Sequence, residues 1–356
     1  MADILLFGAS GYTGQLTAHA LARRGADFAL AGRNKAKLEA LAAETGNPEI
    51  RIAEVGDVDA LTKALGGVRS LITCVGPFIH LGDTAVQAAL RARCNYIDST
   101  GEGPFIKNLI ANQSERAREA GIAMAPALGF DEVPADVAAT LAVEGLEKPD
   151  LVLTYALPST PSPGTAKSVI GIATAKGPWL VDGHTTEVAA GEHSRWAPMP
   201  APLGPRRSVS YPLAEGHLAP LHLDLNSLRL YGTVGRGQSI GLKTLPLLGP
   251  IVNLGPVRNT LEALIERTVK APEGEARNEV WTILAEARSG TSRRNVVLTG
   301  RDPYGLTAET LSAAAMRMAE DDFDQTGVLS PVQAVGIERL QKELIGLGVS
   351  IETYDS

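Results

Sequence analysis

Two cysteines, Cys74 and Cys94, are all the thiol chemistry in 356 residues. So few exclude a disulfide framework, and a metal site would need more ligands than these two supply. Both fall in or beside expected strands, as buried free thiols in a reducing cytoplasm. A large excess of charge is also lacking: the formal net charge is −7, only mildly acidic, which argues against a nucleic-acid partner. No apolar run reaches the ~20 residues of a membrane-spanning helix. The candidate at 240–254 (IGLKTLPLLGPIVNL) is interrupted by Lys243, Pro246 and Pro250. It suits core packing, a hydrophobic lid, a dimer contact or a groove for an acyl chain. The first expected strand begins within a few residues of Met1, leaving no room for a signal or transit peptide. A Tyr with a Lys four positions later, the acid pair of short-chain dehydrogenases, occurs nowhere. A Walker loop and a nucleophile with its base are missing as well.

What is present is ordinary globular composition, 44% hydrophobic and 21% charged, in a length that suits two domains. Residues 4–32 organise the chain. Ile4-Leu5-Leu6-Phe7 reads as a strand buried on both faces. Gly8-Ala9-Ser10-Gly11-Tyr12-Thr13-Gly14 breaks it, a helix with Leu16, Ala20 and Leu21 on its apolar side follows, and Phe28–Ala31 is a second strand. Glycines at such a turn let the backbone approach a pyrophosphate, and the helix N-terminus adds free N–H groups and a positive dipole end. The expected cofactor contacts here are Gly8, Ser10, Gly11, Tyr12, Thr13 and Gly14.

The spacing is GxxGxxG, a variant found in many NADP-linked sites. An NAD site would carry Asp or Glu about 20 residues beyond the glycines, to hold the ribose 2′-OH. Here stand Gly32-Arg33-Asn34. The Arg33 guanidinium can grip a 2′-phosphate with two parallel hydrogen bonds, and Lys37 lies one helical turn on. These residues predict NADP(H); a solvated helix start is the plainer alternative for Arg33 and Lys37.

Strands and helices alternate through residue 130, which predicts a doubly wound parallel sheet of Rossmann type with ligands at the carboxyl ends of its strands. Helices are expected over 35–45, 57–65, 83–93, 104–120 and 132–146, and strands over 50–55, 68–75, 95–98 and 122–127. The same rim then holds Cys74-Val75-Gly76-Pro77-Phe78, expected beside the nicotinamide, with Asp98–Glu102 and Gly129-Phe130-Asp131. Phe78 either walls the nicotinamide ring or is a packed aromatic. Asp98, Glu102, His80 and Asp131 are the candidate catalytic groups, each a carboxyl or imidazole able to hold a proton at that rim. The structural alternatives stay open. Ser99 or Thr100 would cap the next helix with Glu102 near its positive end, Asp131 would start a helix before Pro134, and His80 would face solvent.

The segments GASGYTG, AGRNKAKLEAL, CVGPF, YIDSTGE and ALGFDEVPAD, in this order, resemble the saccharopine dehydrogenase-like oxidoreductases. Within them they are similar to the branch containing the mycobacterial trans-acting enoyl reductases. The likeness is dense over 4–140 and returns in VVLTGRDPYGLTAETL and GVLSPVQAVG. It implies an NAD(P)-binding Rossmann domain, residues 1–131, and a second α/β domain with a mixed sheet, residues 132–304, for substrate and dimerisation. It also implies a C-terminal segment, 305–356, that packs back on the Rossmann domain, and a homodimer.

In the second domain Leu151–Ala156 reads as a strand, 157–166 as a loop, 167–175 as a helix and 196–222 as irregular. A hairpin is expected around Ser289-Gly290-Thr291-Ser292, then helices over 307–319 and 331–347 and a last strand over 349–354. The expected activity is reduction of a C=C bond, as in an enoyl thioester, or of a C=N bond. A saccharopine-type amino-acid dehydrogenase would need basic residues for carboxylates, for which Arg206, Arg207 and Arg236 are the candidates. A cofactor-binding sensor that catalyses nothing is the alternative of another class.

Overall fold

The computed structural model describes residues 2–158, 166, 175–234, 255–269, 274 and 278–355. They form two compact units, Met1–Val133 with Tyr304–Glu343, and Pro134–Pro303 with Leu344–Ser356. The return to the first unit is therefore made by Tyr304–Glu343. The last residues of the expected returning segment join the second unit instead, because their strand finds its hydrogen-bond partner there.

The first unit is built on seven parallel strands. They are β1 (Ile4–Phe7), β2 (Phe28–Gly32), β3 (Glu49–Ile52), β4 (Ser70–Thr73), β5 (Asn95–Asp98), β6 (Ala123–Ala125) and β15 (Gly327–Val328). Their order in the sheet is β15-β6-β5-β4-β1-β2-β3. Every residue of β1, β2 and β4 is buried, as expected where helices cover both faces, whereas β3 at one edge is partly exposed. β15 is too short for sequence periodicity to reveal. It forms because Gly327 N donates to Ile122 O, just before β6, and Leu329 N to Met124 O on β6.

The helices are α1 (Tyr12–Arg23), α2 (Lys35–Glu44), α3 (Val58–Ala64), α4 (Phe78–Ala92), α5 (Gly103–Asn108) and α6 (Ser114–Ala120). Asn34 and Asp57 cap α2 and α3 by accepting from Lys37 N and Ala60 N. The expected helix over 104–120 is divided by a wider turn at Leu109–Gln113.

The second unit begins within α7 (Glu132–Val143) and carries a nine-stranded mixed sheet. Its strands are β7 (Asp150–Ala156), β8 (Lys176–Val181), β9 (His184–Ala189), β10 (Ser194–Ala197), β11 (Arg206–Ser210) and β12 (Ser227–Thr233). β13 (Trp281–Ser289), β14 (Ser292–Gly300) and β16 (Ser350–Asp355) complete it. The main path runs β10-β11-β12-β7-β13-β14-β16, and a hairpin of β8 and β9 is attached through β12. Two further helices of this unit are α8 (Glu215–Leu218) and α9 (Gly255–Thr268).

After the second sheet's β14 the chain returns through α10 (Pro303–Met318), α11 (Pro331–Val335) and α12 (Ile337–Gly346). The expected single helix over 331–347 breaks at Gly336, whose φ of 94° is open only to glycine at low cost. Arg24, the C-cap of α1, holds Glu309 of α10 and Glu343 of α12, each at 2.7 Å.

The hairpin expected at Ser289–Ser292 is present, with Gly290 at φ 59°. Two strands lie within 196–222 or overlap it, a segment whose prolines read as irregular. β10 and β11 are short, and their pairing with β12 decides their conformation. The β8–β9 hairpin turns on Asp182-Gly183, both at positive φ, a two-residue turn signal that the sequence reading passed over. The helix expected over 167–175 and the apolar segment 240–254 lie outside the described residues, apart from residue 175, as does most of the loop 157–166.

Candidate cofactor-binding and active site

β1 lies between β2 and β4, so the crossovers leave it in opposite directions and a crevice opens at its carboxyl end. The glycine loop lines that crevice. Gly8, at φ 82°, accepts a hydrogen bond from Gly11 N, while Gly8 N and Ala9 N donate to Ala31 O on β2. A Cβ on Gly14 would stand 2.3 Å from Gly8 O and 2.8 Å from Ala9 Cα, both backbone atoms, so α1 crosses its strand at a distance only glycine permits. A Cβ on Gly8 would meet Val75 Cγ2 at 2.7 Å.

Gly11 is the N-cap of α1 without a side-chain cap, and the first turn holds no acid. The N–H groups of Thr13 and Gly14 lie in the first turn, where a helix supplies no acceptor, and no first-turn carboxylate neutralises the dipole end. Ser10 and Thr13 offer backbone carbonyls to Gln15 Nε2 and Thr17 Oγ1, which fixes the loop from inside. A cradle that backbone atoms would fill if a Cβ were added, next to a helix end lacking an anion, fits a dinucleotide pyrophosphate.

Arg33 and Asn34 follow β2 on the same rim. Arg33 and Lys37 are exposed, and neither forms an ion pair with the described residues. Asn34 accepts from Lys37 N at 3.0 Å, so its side chain is committed to starting α2. Two unneutralised cations one turn apart at the end of β2 are suited to a 2′-phosphate.

Beyond β4 the chain runs through Cys74, Val75, Gly76 and Pro77. Cys74 N donates to Phe7 O of β1 at 2.9 Å. Burial pushes the Cys74 thiol up to about 12, against a hydrogen bond with Thr17, so it stays a neutral thiol. Phe78 is not part of this loop. It is the first residue of α4, five positions before the helix expected from Asp83, and it is buried against Phe105 with ring centroids 5.9 Å apart. It is the packed aromatic rather than a wall of the crevice.

Glu102 explains the early start. Its Oε1 accepts from Phe78 N at 3.0 Å and its Oε2 from Ile79 N at 2.9 Å. The carboxylate caps α4 rather than the following helix, and α4 has no other side-chain cap and no acid in its first turn. With both carboxyl oxygens engaged by backbone N–H donors, Glu102 is placed as a structural anchor of α4.

Asp98 is equally committed. Fully buried, its Oδ1 accepts from Thr100 N at 2.8 Å and Ala127 N at 3.1 Å, and its Oδ2 from Tyr96 Oη at 2.5 Å. Burial raises its carboxyl to about 6; the three hydrogen bonds oppose that shift and the nearby Glu102 charge reinforces it. Thr100 Oγ1 in turn accepts from Glu102 N at 3.1 Å. Tyr96, Asp98, Thr100 and Glu102 thus form one buried hydrogen-bonded chain joining the ends of β5 and β6 to α4. Asp98, Thr100 and Glu102 were singled out in the sequence, and Tyr96 was not.

His80 lies on the first turn of α4 and is exposed. Asp131 sits near Gly129, whose added Cβ would stand 3.4 Å from Asp131 Oδ1 and 2.2 Å from Glu132 Oε2. Burial raises the Asp131 carboxyl, with a hydrogen bond to Glu132 acting the other way. Phe130 N donates to Thr307 Oγ1 of α10 at 3.0 Å, and Tyr304 packs edge-on against Tyr12 of the glycine loop, 5.3 Å between centroids. Sequence reading missed Tyr304, because nothing local ties residue 304 to residue 12.

In the second unit Arg206 and Arg207 are exposed on β11, and Arg236 lies outside the described residues. Arg195, the cation that packs inward there, is held by Glu286 at 2.7 Å. A further pair in this unit, Asp136 on α7 and His222 at 2.7 Å, is almost wholly buried. Among the described residues no group of three or more His, Cys, Asp or Glu is arranged to hold a metal. No helix among them is long and apolar enough to cross a membrane.

Residues 4–125 match the family model described as the saccharopine dehydrogenase NADP binding domain. A putative trans-acting enoyl reductase of Mycobacterium tuberculosis is 36% identical over 141 residues, 38% of this chain and 34% of that protein. A probable mitochondrial saccharopine dehydrogenase-like oxidoreductase of Arabidopsis thaliana is 32% identical over 154 residues, 38% of this chain and 33% of that protein. The matched region spans about a third of the length of these curated relatives. The solved apo saccharopine dehydrogenase (L-Glu forming) of Saccharomyces cerevisiae shares the fold, with TM-score 0.66 over 100% of both chains at 15% identity. With its glycine cradle and parallel sheet, the first unit carries over residues 4–125 an NADP-binding domain of saccharopine dehydrogenase type, whose cofactor is NADP(H), and the chain shares the fold of that yeast enzyme.

Proposed function

We propose that the protein is an NADPH-preferring oxidoreductase that reduces a C=C bond of an enoyl thioester or a C=N bond. The preference for NADPH rests chiefly on one observation: Arg33 and Lys37 stand exposed, without ion-pair partners among the described residues, where an NAD site would present a carboxylate. The bound cofactor supplies a hydride. The chain's own residues receive the pyrophosphate at the N-terminus of α1, hold the 2′-phosphate with Arg33 and Lys37, and keep a proton at Asp131. The raised carboxyl of Asp131 supports that last role, since Asp98 and Glu102 are spent on backbone N–H groups. The name of the mycobacterial relative, a putative trans-acting enoyl reductase, supports the C=C reading, and that of the plant relative, a saccharopine dehydrogenase-like oxidoreductase, supports the C=N reading. A homodimer, by family resemblance, and a cytoplasmic location, from two cysteines read as free thiols, belong to the same reading.

A specific observation favours a second reading, an NADP(H)-binding sensor. Two of the four expected proton donors are occupied as structural anchors. Titration of NADPH and NADH into wild type and Arg33→Ala tests the cofactor part. Tighter binding of NADPH, lowered towards the NADH value by the substitution, is expected, and equal affinities unaffected by it would refute the role of Arg33. NADPH oxidation that depends on added enoyl thioester or imine separates enzyme from sensor.

A further inference from the structure

We propose that Glu102 is a positioning residue for the nicotinamide half of the cofactor, acting through the loop Cys74–Pro77. The inference rests on the cofactor orientation given above. With the 2′-phosphate at the end of β2 and the pyrophosphate on α1, the other half of the dinucleotide extends over β4, on the opposite side of β1.

The loop that follows β4 is short of internal support. Gly76 is exposed, and Val75 N reaches only its neighbour Thr73 Oγ1, at 3.4 Å. The loop is held at its two ends. At the first, Cys74 N is tied to β1 and Val75 lies against Gly8, where a Cβ would come within 2.7 Å of Val75 Cγ2. At the second, the chain enters α4 at Phe78 and Ile79, whose N–H groups are both taken by the Glu102 carboxylate, 24 and 23 residues further on. Glu102 is itself fixed from beneath by Thr100 and Asp98, and it is only 7% exposed. The carboxylate therefore sets where α4 starts, and so where the loop between Gly8 and α4 runs.

The same arrangement has a selective consequence. Two helix N-termini face the rim on either side of the crevice. That of α4 is filled by the protein's own anion, and that of α1 carries none in its first turn. Cofactor phosphate is directed to α1, and the space over β4 is left for an uncharged ring.

The test compares two ligands on the full chain. NADPH uses both halves of the crevice; adenosine 2′,5′-bisphosphate carries the 2′-phosphate and lacks the nicotinamide. Glu102→Ala leaves two donors without their anion, and Glu102→Gln keeps the volume while turning an amide N–H towards one of them. In both variants NADPH is expected to bind at least about tenfold more weakly, a change of about 1.4 kcal/mol. The bisphosphate should bind within about twofold of wild type, given that its contacts are untouched. The fluorescence of bound reduced nicotinamide should shift towards that of free NADPH. Bisphosphate binding also reports that the first unit is folded, so Glu102→Gln suffices if Glu102→Ala is not. Equal weakening of both ligands, or no weakening of NADPH, would overturn the proposal. Failure of wild type itself to bind the bisphosphate would instead overturn the underlying cofactor orientation.

Discussion

Asp98 sets two large effects against each other, and its substitution by Asn decides which one wins. Three hydrogen bonds to the carboxylate, two from backbone N–H groups and one from Tyr96, would by themselves draw a carboxyl well below its ordinary range. Complete burial beside Glu102 drives it the other way, and the balance lies at about 6 against 3.8 for the free side chain. The sign follows by linkage. A group whose folded pKa is raised contributes stability that is fully present below 3.8 and is lost as pH rises through about 6.

At neutral pH the ionised Asp98 therefore costs about 3 kcal/mol relative to its protonated form, from roughly two pH units at ~1.4 kcal/mol each. The side chain introduced by Asp98→Asn cannot ionise, but it presents one oxygen to Thr100 N and Ala127 N and an amide towards Tyr96, whose hydroxyl can rotate to accept. Urea unfolding of wild type and Asp98→Asn from pH 4 to pH 8 is the assay. The stability of the variant relative to wild type should climb by about 2.5 kcal/mol across that range, most steeply between pH 4 and 6. The difference between the two proteins removes the titration of every other group. A flat difference, or one that falls with pH, would show that the hydrogen bonds outweigh burial, and the reasoning would fail.

Two further substitutions probe the first unit. Gly14→Ala places a Cβ 2.3 Å from Gly8 O, with only backbone atoms to yield. It should cost about 1–3 kcal/mol in denaturant unfolding and reduce NADPH binding measured by titration, whereas unchanged binding would put the pyrophosphate elsewhere. Arg24→Met keeps the aliphatic stem and removes the cation shared by Glu309 and Glu343. Burial pushes Glu309 up, and its hydrogen bonds from Arg23 and Arg24 more than reverse that, leaving it below its ordinary value. Glu309 thus contributes stability above about pH 4.5 that is lost as pH falls through its depressed pKa. The partly exposed Arg24 network should be worth about 1 kcal/mol at neutral pH and less at acid pH, read from thermal unfolding.

The cofactor half of the site was legible because its chemistry is local. One buried strand, a glycine turn, a helix and a second strand form the proposed pyrophosphate cradle within residues 4–32, and Arg33 directly follows. Those residues need no distant partner to fix their conformation, since glycine spacing and helix-end polarity act over a single turn. The periodicity of residues 4–130 likewise predicted the parallel sheet, whose strands are long enough and sufficiently buried to show as apolar runs. Strands without an apolar run escaped: β10, β11 and β15 exist because a neighbour supplies hydrogen bonds, not because their residues favour extension.

The roles of the carboxylates were decided only in three dimensions. In sequence, Asp98 and Glu102 are two acids after a strand, equally suited to catalysis or to capping the helix that follows. Folding brings Glu102 to the backbone of Phe78 and Ile79 and buries Asp98 between Tyr96, Thr100 and Ala127, converting both into anchors. The packing of Tyr304 on Tyr12 and the division of the tail between the two units arise in the same way. Sequence by itself determined the groups whose function depends on their immediate neighbours. Tertiary structure determined those whose partners are tens or hundreds of residues away, because burial and hydrogen bonding fix a side chain's charge and reach only once those partners have met.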